Sequence, residues 1–555
     1  MCGILGYSTQ RKGFKFSNED FIQTLKHRGP DGDGIYDCNE ITLLHTRLSI
    51  VDIDFGKQPV EFENLVIVFN GEIYNHKDLR NSLISNGYAF ETGSDTEVLI
   101  KAYHFYGKDL TKYINGMYAF AIFNKKDKSL LLCRDRFGIK PLYLFHTNQD
   151  FVFASEMKSI IYYLRKNNIE FQLNEKSLIE YLQSGQITSS KLFDNLVTVA
   201  PGEYLELSNG KISKTRCEYN TFQTNASLEE ILQVELSEQL EADVEVGILL
   251  SGGIDSSLLT AISSNIKHDL KTFSVVFDQK SDLDESIYSQ EVAQRFKTNH
   301  YEYIFTEKDL IDLIPTLTST MDLPIYDPAM LPLLFLSEKV SKKVKVAICG
   351  DGGDEIFAGY THHRVLKYKK IFKTLNFLIR FFKRDAPLSL VLNRIFDRNE
   401  TLEESLSNDL HKNLDKRLLR KSDLCSMKFG LELRVPYLSN RVLDFSNMFN
   451  RRDFINIFFG KMPLRKLVSK LISKKVAYKK KQGFRIPIKD WIQGDLGEEV
   501  QNDLYKNLSL PKSVVNQKAV KEILKNKEEN YEYIFKLFIL NRWFIANFKN
   551  YQNEI

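Results

Sequence analysis

The hydrophobic pattern of this chain changes character near Pro201-Gly202, and that change constrains the fold more than any other feature. From Leu228 onward, apolar runs that read as strands (244–250, 271–277, 301–305, 345–349) alternate with helical stretches at 258–264 and 287–295. Strands separated by helices predict a parallel sheet with helices on its faces. The first part reads as short alternating strands: 65–69, a hairpin of 117–123 with 130–133, and a pair of 142–145 with 151–154. A helix at 95–106 is expected to cover them, and Asn70-Gly71-Glu72 reads as a turn after the first strand. At 555 residues the chain exceeds one ordinary core. Two large domains are therefore expected, 2–205 and 228–555, with 206–227 as a polar linker. Beyond about Tyr360 the chain reads as mostly helical and rich in Lys and Arg.

Lysine and arginine total 76 against 72 acidic residues, a balance of +4 that argues against nucleic-acid binding through bulk charge. For the same reason Lys367-Tyr368-Lys369-Lys370 and Arg380-Phe381-Phe382-Lys383-Arg384 read as solvated helix faces rather than a membrane surface. The six cysteines (Cys2, Cys38, Cys133, Cys217, Cys349, Cys425) show no CxxC pair and no metal-ligand spacing, as suits free thiols in a reducing cytoplasm. No signal-peptide core opens the sequence, and no apolar run nears the roughly 20 residues of a membrane span. Small-molecule partners are expected. The oligomeric state is left open, a homodimer among the options.

Cys2-Gly3-Ile4-Leu5-Gly6 follows Met1 directly. Removal of Met1 would leave a thiol and an α-amine on one residue. An amine of pKa roughly 7.7–8.0 can serve as local base for a thiol of pKa roughly 8.5. Further segments suit an amidase acting on glutamine. Arg47 offers a guanidinium for an α-carboxylate, and Glu72 and Asp95 offer carboxylates for an α-ammonium. Asn70 and Gly71 can aim a side-chain amide and a backbone N–H at an oxyanion. Taken singly, each has a plainer reading: a surface ion pair for Arg47, a turn for Asn70-Gly71, a helix cap for Asp95.

Together these segments resemble one family. Met-Cys-Gly-Ile, His-Arg-Gly-Pro-Asp (27–31), Arg-Leu-Ser-Ile-Val-Asp (47–52), Asn-Gly-Glu-Ile-Tyr-Asn (70–75) and Ser-Asp-Thr-Glu (94–97) stand in the order seen in class II glutamine amidotransferases. The resemblance covers about residues 2–200 and implies an N-terminal-nucleophile hydrolase domain, an α-β-β-α sandwich. It implies that Cys2 attacks the glutamine amide, that Asn70 and Gly71 hold the oxyanion, and that Arg47, Glu72 and Asp95 bind the glutamine backbone groups.

A second constellation begins at Leu249-Leu250-Ser251-Gly252-Gly253-Ile254-Asp255-Ser256-Ser257, at a strand-to-helix junction. The glycines let the backbone approach a polyanion, the serines add donors, and the following helix aims its N-terminal amides at it. There is no Gly-Lys-Ser/Thr ending, so this is not a Walker A loop. Cys349-Gly350-Asp351-Gly352-Gly353-Asp354-Glu355 also follows an expected strand, and adjacent strand ends of a parallel sheet share one crevice. Asp255 and Asp354 are candidates to hold Mg²⁺ on a pyrophosphate there.

The Ser-Gly-Gly-x-Asp-Ser-Ser loop resembles that of the ATP pyrophosphatases, an α/β fold related to the adenine nucleotide alpha hydrolases. These cleave ATP between the α and β phosphates and adenylate a carboxylate. With Gly430-Leu431-Glu432-Leu433-Arg434-Val435-Pro436-Tyr437-Leu438, the two-part chain is similar to the glutamine-hydrolysing asparagine synthetases over essentially its whole length. That resemblance implies Leu249, Val275, Cys349 and Gly350 around the nucleotide. It also implies Lys481 on the phosphates, with Lys479 and Lys480 as adjacent alternatives. The implied reaction turns aspartate, glutamine and ATP into asparagine, glutamate, AMP and diphosphate.

The chain departs from the better-known members at two places. Asp351 stands where they carry a glutamate thought to guide ammonia, and Ser439 stands where an acidic residue is usual. Pro324-Ile325-Tyr326-Asp327-Pro328 reads more like a sister branch associated with surface-polysaccharide sugars, so a uronic acid or other small carboxylate is the alternative acceptor. The intact Cys2, Arg47, Asp95, Asp255 and Asp354 argue against a non-catalytic regulatory homologue, and Cys2 against a β-lactam synthetase.

Overall fold

The computed structural model describes residues 2–9, 17–187, 191–208, 210–222, 225–277, 286–382, 392–393, 395–397, 399–479 and 486–549. Its N-terminal part stacks two six-stranded antiparallel sheets. In spatial order the first holds Leu196–Thr198, Tyr143–His146, Asp150–Ala154, Gly3–Thr9, Thr42–Arg47 and Gly32–Asp37. The second holds Lys211–Arg216, Glu203–Ser208, Ser129–Arg134, Gly116–Asn124, Leu65–Ile73 and Val60–Phe62.

Strand alternation feeds two cores at once. In Gly116–Asn124, Ala119, Ala121 and Phe123 face the core between the sheets, while Tyr118, Phe120 and Ile122 face the helices Asp95–Tyr106 and His76–Ser85. Asn18–Leu25 and Met157–Lys166 cover the outer face of the first sheet through Phe21, Leu25, Met157 and Ile160. This is the expected α-β-β-α sandwich.

Two local expectations are corrected. Asn70-Gly71-Glu72 is not a turn: the strand Leu65–Ile73 continues through it, because Gly116–Asn124 offers a ladder as far as Ile73↔Gly116. The polar stretch expected as a linker begins inside a hairpin, Glu203–Ser208 with Lys211–Arg216, that extends the second sheet. Its outer strand is exposed and carries Lys211, Lys214 and Arg216, an edge that shows no buried apolar alternation.

The C-terminal part is built on a five-stranded parallel sheet ordered Asn299–Phe305, Lys271–Phe277, Val246–Leu249, Val346–Ile348, Glu432–Arg434. The chain first winds to one side of Val246–Leu249 and then crosses to the other. The ends of Val246–Leu249 and Val346–Ile348 therefore flank the switch point, where open α/β sheets bind ligands. The remaining sequence is largely helical, as expected, and includes an unusual π-helix at Asp409–Leu419.

Of the two basic runs, Lys367 is spent internally, donating to the carbonyls of Arg452 (2.6 Å) and Ile455 (2.7 Å); Lys383 and Arg384 lie outside the described residues. Among the described residues no helix is long and apolar enough to cross a membrane. The two parts are welded together, with Leu48, Ile50 and Met117 sharing one apolar cluster with Val435 and Leu438.

Candidate active site

The glutaminase half gathers around Cys2, buried at the start of the strand Gly3–Thr9. Its backbone N–H donates to Asn70 Oδ1 at 3.1 Å, which turns the amide nitrogen of Asn70 loose. That Nδ2 is buried and has no hydrogen-bond partner among the described residues, a donor awaiting an acceptor. Gly71 beside it tolerates no side chain: a Cβ would sit 2.1 Å from the Met117 carbonyl oxygen.

Arg47 ends the neighbouring strand and donates to the carbonyls of Asp52 (2.5 Å) and Ile53 (2.8 Å). Asp95 opens its helix but is not the cap. Ser94 accepts from the Thr96 N–H instead, while Asp95 Oδ2 accepts from the Ile73 N–H at 3.0 Å and so lies against Glu72's strand. Burial pushes Asp95 up to about 6 and raises the Cys2 thiol. Burial, reinforced by the charge of Asp95, drives Glu72 well above the ordinary carboxylate range, opposed by Arg434 with its Nη2 at 3.3 Å from Glu72 Oε2. Arg434 belongs to the other half of the chain, inside the 430–438 segment, whose sequence gave it no role of its own.

The second centre is a cavity of about 320 Å³ at the switch point. Leu249, Ser251, Gly253, Asp255, Ser256, Val275, Cys349, Gly350, Asp351 and Asp354 all line it. Gly252 and Ser257 do not. Gly252 adopts φ +72°, turning the loop, and Ser257 is fully buried beneath the first turn of Ile254–Ile266. The two loops are in close contact, since a Cβ on Gly350 would approach the Asp255 Cβ to 2.9 Å.

Sequence reasoning missed the central cation. Lys461 Nζ lies 2.6 Å from Asp255 Oδ2 and 2.9 Å from Asp354 Oδ1, so the two carboxylates do converge. Asp255 Oδ1 remains buried without a partner among the described residues, an oxygen free for a hard cation. Its only sequence signal was a lysine just ahead of a proline-started helix, Met462–Leu471. Lys479 also lines the cavity, its Nζ 4.3 Å over the Tyr288 ring, whereas Lys480 and Lys481 lie outside the described residues.

Asp351 accepts from Ser422 Oγ at 2.5 Å. Ser439, at the position that is usually acidic, caps the helix Asn440–Asn447 by accepting from the Val442 N–H. Helix Arg420–Met427 connects the two centres. Ser422 holds Asp351, and the adjacent Asp423 accepts from Arg28 at 2.8 and 3.1 Å. Arg28, fully buried, donates in turn to the Cys2 carbonyl at 3.2 Å. The strand Glu432–Arg434 makes a second connection. The Arg434 side chain reaches Glu72, and its carbonyl accepts from the Cys349 N–H at 2.9 Å.

A buried thiol beside an unpartnered amide donor and two carboxylates can hydrolyse an amide. A polyanion cradle with converging acids and lysines can activate a carboxylate with a nucleotide. The family model for asparagine synthase matches residues 227–545, and that for a glutamine amidotransferase domain matches 1–219. Asparagine synthetase (glutamine-hydrolyzing) 1 of Bacillus subtilis is 28% identical over 100% of this chain and 98% of its own length. Asparagine synthetase (glutamine-hydrolyzing) 3 of the same organism is 27% identical over 87% of each chain. Asparagine synthetase B of Escherichia coli is 28% identical over 87% of this chain and 82% of its own. The chain belongs to the asparagine synthase family, ATP-using ligases that take amide nitrogen from glutamine.

Proposed function

We propose that this enzyme converts L-aspartate, L-glutamine and ATP into L-asparagine, L-glutamate, AMP and diphosphate, in the cytoplasm. The observation that carries the reading is the convergence of Asp255, Asp354, Lys461 and Asp351 on one cavity at the switch point. Full-length similarity to relatives named asparagine synthetase supports aspartate as the acceptor. Six unbonded cysteines, with Cys133 and Cys217 sulfurs 4.0 Å apart, support a reducing compartment.

In the first half-reaction the Cys2 sulfur bonds to the glutamine amide carbon. The oxyanion that forms takes hydrogen bonds from Asn70 Nδ2 and the Gly71 N–H. Arg47 binds the α-carboxylate, and Glu72 and Asp95 the α-ammonium. Collapse expels ammonia, and water clears the thioester as glutamate. In the second, backbone and hydroxyl donors of Ser251, Gly253 and Ser256 hold the β and γ phosphates while an aspartate carboxylate oxygen displaces diphosphate from the α phosphorus. Asp255 and Asp354 would hold Mg²⁺, which supplies charge opposite the departing diphosphate. Lys461 and Lys479 add positive charge, and Lys481 is assigned the same task. Ammonia then attacks the acyl-adenylate, Asp351 takes a proton from it, and AMP leaves.

The test is a product assay with purified protein, ATP, glutamine and a panel of acids that includes aspartate and uronic acids. Asparagine and AMP in equal amounts are expected. A uronamide in place of asparagine, or ADP and phosphate as stoichiometric products, would refute the proposal.

A further inference from the structure

Away from both reaction centres, three donor atoms of the right kind converge on one point. His362 Nε2 and His363 Nε2 both contact the same oxygen, Asp409 Oδ2, at 2.7 and 2.9 Å. All three atoms lie within 4.8 Å of one another. We propose that His362, His363 and Asp409 form a transition-metal site, with Zn²⁺ as its natural occupant.

Two imidazoles and one carboxylate make a donor set that suits zinc and discriminates against magnesium, which prefers oxygen alone. Around a tetrahedral zinc with bonds of about 2.0–2.1 Å, neighbouring donors stand roughly 3.3 Å apart. The observed hydrogen-bond spacings of 2.7 and 2.9 Å therefore need to open by only about half an ångström for the ion to replace the shared protons. Asn413 Nδ2 donates to the other carboxylate oxygen, Oδ1, at 2.8 Å, which orients Oδ2 toward the histidines in the way an outer-shell partner orients a ligand. His363 Nδ1 has no partner among the described residues and can carry the proton that ligation at Nε2 displaces. His363 and Asp409 are buried, while the His362 side chain is 22% exposed, so water can reach the remaining position.

The location gives such an ion a task. The histidines open the helix Thr361–Lys367, just after the Asp354 loop, and Asp409 starts the π-helix Asp409–Leu419. Asp415 of that helix accepts from Arg134 of the amidotransferase half at 2.6 Å, and the helix runs on into the segment bearing Ser422 and Asp423. A metal here pins the phosphate side of the synthetase centre to the element that joins the two halves. π-Helical segments are frequent at such functional positions.

The experiment uses full-length protein stripped with a chelator, titrated with Zn²⁺ by calorimetry and with Co²⁺ followed by visible absorption. One equivalent of Zn²⁺ is expected. The Co²⁺ spectrum should show d–d bands and no thiolate charge-transfer band, which separates this site from the free cysteines. His362→Ala should weaken binding by at least about tenfold, Asn413→Ala by about tenfold, and Asp409→Asn should abolish it. Zn²⁺ should raise the Tm of wild type and leave that of His362→Ala unmoved. Should Asp409→Asn fail to fold, the partly exposed His362 and the outer Asn413 still decide the matter. No uptake by wild type at micromolar Zn²⁺, a thiolate band, or equal affinity in wild type and His362→Ala would overturn the proposal. These readouts involve no turnover, so they stand apart from the proposed reaction.

Discussion

Arg434→Met separates the two halves of the reaction through a residue to which no motif assigned a role. Arg434 lies 3.3 Å from Glu72, and two unit charges at that distance attract by about 5 kcal/mol at an effective dielectric of 20. That attraction opposes the burial and the Asp95 charge that raise Glu72. Without it, burial and the Asp95 charge push Glu72 further toward its neutral form, which meets the glutamine α-ammonium less strongly than the anion does. Losing a hydrogen bond to a charged group costs about 1.5–3 kcal/mol. At about 1.4 kcal/mol per decade, the glutamine KM should rise about 10- to 100-fold. Methionine fills much of the space but leaves Glu432 without its 2.7 Å partner, a loss of about 3–5 kcal/mol in stability. The double variant with Glu432→Gln removes that charge and controls for it. The assay compares glutamine-dependent with ammonia-dependent synthesis across substrate concentrations, with Tm measured in parallel. Ammonia-dependent synthesis should stay near wild type. An equal fall in both activities of a folded variant, or an unchanged glutamine KM, would refute the reasoning.

Four further outcomes are expected. Cys2→Ala should abolish glutamine-dependent synthesis and spare the ammonia-dependent reaction; mass spectrometry should find Met1 removed from active enzyme. Lys461→Met leaves Asp255 and Asp354 facing each other without their cation, so ATP–pyrophosphate exchange should collapse while glutaminase activity persists. Asp351→Ala should keep pyrophosphate exchange but slow amide formation by about 10²–10⁴-fold, the usual loss of a positioned base; normal values of both in Asp351→Asn would remove it from the mechanism. Asp95, raised to about 6, is protonated below that pH and ionised above it, so glutamine affinity should fall as pH drops from 8 to 5. Measured by calorimetry in the Cys2→Ala protein, where no thiol titrates, a flat profile would exclude Asp95 as the ammonium ligand.

The motifs led to both candidate centres because each is local in sequence. The Ser251–Ser257 loop and the Cys349–Glu355 loop leave adjacent parallel strands, and strand–helix alternation was enough to place them at one crevice. Short-range signals also misled. Asn70-Gly71 has the composition of a turn, yet the free ladder of Gly116–Asn124 keeps it in the strand, because a partner more than forty positions away outweighs the local preference. The hairpin at 203–216 was hidden for the opposite reason: an edge strand with one wet face has no buried alternation to display.

What stayed illegible is the pairing of the buried cations. Lys461 and Asp255 are 206 positions apart, and Arg28 and Asp423 are 395 apart. Arg28 stands in the His-Arg-Gly-Pro-Asp segment, but nothing near it or near Lys461 names the acid that each meets. Yet burying them unpaired would be prohibitive, so their presence in the interior requires carboxylates from distant segments. Arg28 meets Glu156 and Asp423, Arg434 meets Glu72 and Glu432, and Lys461 meets Asp255 and Asp354. In each case one cation is shared by two acids, and for Arg28 and Arg434 one of the two acids lies in the other half of the chain. The amidotransferase and synthetase halves are therefore held in register by charges that neither half can satisfy alone. A shift of one half against the other would strand buried charge beside Cys2 and Glu72, which makes the relative placement of the two centres a property of their electrostatics as much as of the apolar seam.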